Sequence, residues 1–157
     1  MDVIKNILVP IDFSDYSKNA LRYAVQFAQQ FKAKMFLVYV VEPMIYPADF
    51  SMGQVAIPSM DSDLHLRAEE ELKNLASSFI NKVVESETII KTGKPFVEII
   101  ETANEIDADL IIMATHGHTG VEHLLFGSTA EKVVRKAPCP VLTLREPIKG
   151  FNYNARK

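Results

Sequence analysis

The chain predicts an open parallel α/β sheet with helices on both faces. Three observations carry that prediction. Short apolar runs alternate with longer helical patterns along the 157 residues, as successive βαβ units require. Those runs show little apolar/polar alternation, which means burial on both sheet faces. One run leads into a glycine-bearing loop and then a helix start, and such sheets bind ligands at the carboxyl ends of their strands.

Residues 4–9 are apolar apart from Lys5 and Asn6 and end at Pro10, which reads as a central strand. Ile11-Asp12-Phe13-Ser14 is the loop after it, with Ser14 or Asp15 as N-cap. The first helix runs to about residue 31, with Leu21, Ala24, Val25 and Ala28 inward. Residues 35–41 form the second strand. Residues 42–60 hold Pro43, Pro47, Gly53 and Pro58, which oppose a regular element. They also hold Met44, Tyr46, Phe50, Met52 and Met60, which oppose full solvation. A long loop folded partly over the body fits both.

The second helix spans about 61–82, with Leu64, Ala68, Leu72, Leu75, Ala76 and Phe79 as its stripe. The third strand, 84–91, is more polar and so lies nearer an edge. Thr92-Gly93-Lys94-Pro95 is a turn, and Pro95 suits the first turn of the third helix. Phe96, Ile99, Ile100 and Ala103 form that helix's inner face. The fourth strand, 110–113, follows the acidic turn Asp107-Ala108-Asp109. Gly127-Ser128-Thr129 opens the fourth helix, whose stripe is Ala130, Val133, Val134 and Ala137. Pro138 and Pro140 stop it, and residues 141–144 make the fifth strand. One domain over 1–146 and a polar tail over 147–157 result.

Between strand four and helix four lies Ala114-Thr115-His116-Gly117-His118-Thr119-Gly120. Backbone N–H groups at a helix start lack intrahelical partners, and the helix dipole adds positive charge there. Glycines admit close approach, and Ser128 and Thr129 add hydroxyl donors. In physical terms this is a phosphate cradle. It lacks the Gly-Lys-Ser/Thr of a P-loop, and it is no Gly-x-Gly-x-x-Gly dinucleotide fingerprint. With the strand order 3-2-1-4-5, the winding reverses between strands one and four, where residues 10–14 and 114–128 meet. The same order leaves strand five at an edge. It is apolar on both faces and uncharged until Arg145, which suggests pairing with a second copy.

Net charge is −3 and the pI about 5.8, which argues against a nucleic-acid or anionic-membrane surface. The one cysteine, Cys139, excludes an internal disulfide and fits a reducing, cytoplasmic setting. No apolar run reaches the roughly 18 residues that span a bilayer. Residues 1–5 read as the start of a strand rather than a signal peptide.

At these residues the chain resembles the universal stress protein family. The family's motif is Gly-x2-Gly-x9-Gly-Ser/Thr after the fourth strand. Here Ala114-Thr115-His116-Gly117 is followed, nine residues on, by Gly127-Ser128. The opening Ile7-Leu8-Val9-Pro10-Ile11-Asp12-Phe13-Ser14 and the ending Lys136-Ala137-Pro138-Cys139-Pro140-Val141-Leu142 are similar to the family's as well.

The resemblance implies a Rossmann-like fold, a homodimer through Val141–Leu144, and ATP in the crevice between strands one and four. Pro10, Ile11 and Asp12 would then line the adenosine side, and the Val40 backbone would meet adenine. Met113 and Ala114 would flank the ribose. Gly117, His118, Thr119 and Gly120, with Gly127, Ser128, Thr129 and Ala130, would hold the phosphates. Asp12 would also organise Mg carried by the nucleotide. Ala114 departs from the motif's first glycine, and alanine disfavours positive φ. His116, His118 and His123 show no established zinc spacing.

No acid–base pair, arginine finger or Walker lysine faces the loop, so a nucleotide-sensing stress-response module is expected rather than a fast enzyme. The alternatives are a nucleotide-free interaction module of the same fold and a slow ATP hydrolase.

Overall fold

The computed structural model describes residues 4–43, 58–117 and 126–145, with residues 58–61 as backbone alone. The order is β1 (Asn6–Pro10), α1 (Asp15–Phe31), β2 (Lys34–Val41), α2 (Pro58–Ile80), β3 (Ser86–Thr92), α3 (Pro95–Glu105), β4 (Leu110–Ala114), α4 (Ser128–Lys136) and β5 (Val141–Leu144). The five strands form one sheet in the order β3-β2-β1-β4-β5, and all four pairings are parallel. The predicted fold class and strand order are therefore those of the protein. α2 starts at Pro58, about a turn earlier than its stripe suggested, and proline suits a first helical turn.

The central strands are buried on both faces, as their unbroken apolar runs require. Ile7, Val9, Leu37 and Ile112 face α1 and α2, where they meet Leu21, Ala24, Leu72 and Ile80. Leu8, Val38, Ile111 and Met113 face the opposite way, towards Ile99, Ala103, Ala130 and Val133. Each large side chain buried this way contributes about 1.5–3 kcal/mol. The acidic turn before β4 has a structural use. Asp109 accepts the N–H groups of Lys5 and Asn6 at 2.8 and 2.9 Å, which seats β4 beside β1.

Two stripe residues face solvent instead of the core. Leu64 is 41% exposed. Its neighbour His65 pairs with Thr92, the last residue of β3, so Leu64 lies level with the strand ends and has little sheet beneath it. Val134 is 44% exposed, because α4 packs through Ala130 and Val133. The predicted flap lies outside the described residues at 44–57, as does the tail at 147–157.

Candidate functional site

β1 and β4 both end at the same rim of the sheet, and their following loops diverge to opposite faces. α1 leaves towards one face, and α4 packs on the other. The gap between them is a cavity of about 340 Å³. From the last residue of β1 it takes Pro10, from the loop after it Ile11 and Asp12, and from β2 Val40. Met113 and Ala114 come from the end of β4, and Gly117 from the loop beyond. Gly127, Ser128, Thr129 and Ala130 come from the start of α4. These are the described members of the predicted set. His118, Thr119 and Gly120 lie outside the described residues, as does His123.

The loop after β1 is tightly made. Ser14 caps α1, its Oγ accepting from the Ser17 N–H at 3.2 Å. Phe13 takes φ +63°, in the left-handed region, and its ring packs on Tyr39 with centroids 4.8 Å apart. Asp12 Oδ1 accepts from the Ser14 N–H at 3.0 Å and from the Ser14 hydroxyl. Burial pushes the Tyr39 phenol up, and the nearby carboxylates of Glu71, Asp12 and Glu42 add to the shift.

The other wall centres on Thr115, 4% exposed. Its N–H donates to the Leu144 carbonyl at 3.0 Å, and its own carbonyl accepts from Gly127 N–H at 2.6 Å. Thr115 Oγ1 and His116 Nδ1 are hydrogen-bonded at 2.9 Å. The His116 ring lies against Tyr16, with centroids 5.8 Å apart. Gly127 is the N-cap of α4 and makes no side-chain cap bond, so the first-turn N–H groups open towards the cavity that Ser128, Thr129 and Ala130 line. A Cβ on Gly127 would press on the Thr115 carbonyl at 3.2 Å.

Ala114 lies in β4 and is not among the positive-φ residues. The alanine at the motif's first glycine position therefore imposes no backbone strain. Among the described residues, no three His, Cys, Asp or Glu side chains are grouped to hold a metal ion.

Sequence reasoning missed part of the lining. Ser17 stands out as a polar residue on the apolar face of α1, and Thr115 as the first polar residue after β4. Either pattern could have been read. Pro95 and Ile99 carry no such signal, because α3 looks like an ordinary amphipathic helix whose N-terminus happens to close the cavity. Val38, Tyr39 and Glu42 enter because β2 outruns β1 at this rim.

The universal stress protein family profile matches residues 4–145. The universal stress protein MJ0531 of Methanocaldococcus jannaschii is 36% identical over 151 residues, covering 94% of this chain and 86% of that protein. The universal stress protein UspA from Lactobacillus plantarum superposes with a TM-score of 0.78 at 28% identity, covering 92% of this chain and 100% of that one. A universal stress protein from Archaeoglobus fulgidus, solved in complex with dAMP, superposes with a TM-score of 0.63 at 25% identity, covering 90% and 98%. Sequence, strand order and the matched residues agree, and the chain belongs to the universal stress protein family.

Proposed function

We propose that this protein binds an adenine nucleotide, ATP in the first place, in the cavity between β1 and β4, and works as a dimeric cytoplasmic stress-response module. The observation that carries this reading is the cavity itself. It brings the β1 loop, the end of β2 and the uncapped start of α4 to one place. The N–H groups and dipole of a helix start suit an anion. The dAMP-bound relative supports a nucleotide as the anion's carrier.

Base choice follows from strand geometry. Ile11 N–H donates to the Val38 carbonyl at 2.8 Å, so the backbone groups of Val38 point towards β1. In a strand, the groups of Val40 point the same way. β1 has ended at Pro10, and Val40 lines the cavity. Its N–H matches the adenine ring-nitrogen acceptor, and its C=O matches the exocyclic amine. Guanine presents the opposite polarity at that edge.

Asp12 is the one carboxylate of the β1 loop in the cavity, so Mg would arrive on the phosphates and take Asp12 as a further ligand. The ion would offset phosphate charge beside that carboxylate. The reading is a sensor rather than a catalyst.

The dimer forms through β5. Ile111 N–H donates to the Pro140 carbonyl and Thr115 N–H to that of Leu144, so the even-numbered residues face β4. The backbone groups of Val141 and Thr143 face outward, ready for an antiparallel partner strand.

The first experiment is to purify the protein without added nucleotide, denature it and identify released small molecules by mass spectrometry. Titrations with ATP and GTP in magnesium follow. ATP released, or ATP bound at least tenfold more tightly than GTP, is the expected result. A flat ATP titration would leave a nucleotide-free interaction module as the better reading.

A further inference from the structure

We propose that Ser14 is a positioning residue for the cavity, orienting the Asp12 carboxylate for the ligand; this rests on the nucleotide reading above. The Ser14 hydroxyl fills two roles at once. It accepts from the Ser17 N–H at 3.2 Å, which caps α1, and it donates to Asp12 Oδ1. The Ser14 N–H donates to the same oxygen at 3.0 Å. The Asp12 backbone is tied from the other side, its N–H donating to Ser17 Oγ at 3.3 Å. That hydroxyl in turn donates to the Ser14 carbonyl at 3.0 Å.

Phe13 makes the closure feasible. Its left-handed backbone, φ +63°, turns the chain back so that Ser14 can reach Asp12. Such a conformation is costly for a bulky residue and persists only where packing over-determines it. The contact with Tyr39 supplies that packing.

The terminal torsion of an aspartate is otherwise soft. Among the described residues, the Ser14 N–H and hydroxyl restrain it through Oδ1. The other oxygen, Oδ2, is then directed at Gly117, where it fills the space a Cβ would need. The plane of the carboxylate is thus set before the ligand arrives, and less ordering entropy is lost on binding. Ser14 itself is 8% exposed and does not line the cavity. It acts through Asp12.

Capping and positioning use opposite senses of the hydroxyl, so they can be separated. Ser14→Asp still caps α1 by accepting from Ser17. It cannot donate to Asp12, and it places a like charge beside it. Ser14→Thr keeps both roles. Each would be titrated calorimetrically with MgATP in the full chain, alone and combined with Asp12→Asn. We expect Asp12→Asn and Ser14→Asp each to weaken binding roughly tenfold or more, the scale of a charged hydrogen bond. On the Asp12→Asn background, Ser14→Asp should change affinity by less than about twofold. Ser14→Thr should stay within about threefold of the unaltered protein. Should Ser14→Asp fail to fold, Ser14→Ala, which loses cap and donor together, is read through its coupling to Asp12→Asn in the same cycle. A loss that persists undiminished on the Asp12→Asn background overturns the role of Ser14 alone. No MgATP binding by the unaltered protein overturns the nucleotide reading and this inference with it.

Discussion

Oδ2 of Asp12 occupies the space that a Cβ on Gly117 would need. The loops after β1 and β4, far apart in sequence, therefore meet through one carboxylate and one missing side chain. Gly117 is not in the left-handed region, so what selects glycine there is space rather than backbone conformation.

Gly117→Ala should consequently fold and still lose nucleotide. Among the described residues, the new methyl would meet atoms of the Asp12 side chain, which can swing away. Affinity for MgATP should fall roughly tenfold, with the melting temperature little changed. Calorimetry and thermal unfolding check this together. An unchanged affinity would mean that the orientation of Asp12 is immaterial. Gly127 is a poorer probe, because a methyl there presses on the Thr115 backbone and disturbs the start of α4 itself.

Restoring the motif glycine should bring no gain. Ala114 sits in β4 and pairs in register with Leu144. Ala114→Gly should cost about 0.5–1 kcal/mol of stability from chain entropy. Binding of ATP should stay within about threefold, since no positive φ is relieved. A large rise in affinity in the glycine variant would show that the alanine methyl obstructs the ligand.

The β5 edge can be closed without touching its ladder to β4. The Thr143 N–H faces outward, away from Met113, its register partner in β4. Proline is tolerated on an edge where that group faces solvent. Thr143→Pro should give a folded monomer by sedimentation velocity. A persistent dimer would place the interface elsewhere. This is a cleaner change than Leu142→Lys, because Leu142 also packs on the α1 side of the core.

Cys139 should be a slow thiol. Burial pushes its pKa up, and the charge of Asp109 adds to that. The thiolate is the reactive form, so less of it is present at a given pH near 8 than for a free cysteine. Alkylation by iodoacetamide should run several-fold slower than for a small thiol. The gap should narrow as pH rises past the shifted value. A rate equal to that of free cysteine would contradict this environment.

Periodicity and punctuation carried most of the architecture. The uninterrupted run of β2 meant burial on both faces, and the polar β3 meant an edge. Pro95 marked the start of α3, and Ser14 the start of α1. The predicted stripe failed at Leu64 for a reason no local pattern contains, which is that β3 stops at Thr92.

What the residues determine by themselves is therefore the succession of elements, the inner face of each and the glycine-bearing loop after β4. Those properties depend on neighbours a few positions apart. Tertiary structure decided which loops face one another. It set Asp12 against Gly117, brought Pro95 and Ile99 of α3 into the wall, and tied Thr115 to Leu144 at the edge. It also turned the Val40 backbone towards the cavity, because β1 ends at Pro10 while β2 continues to Val41. The direction of a backbone hydrogen bond depends on where the neighbouring strand stops, and that is a property of two strands together.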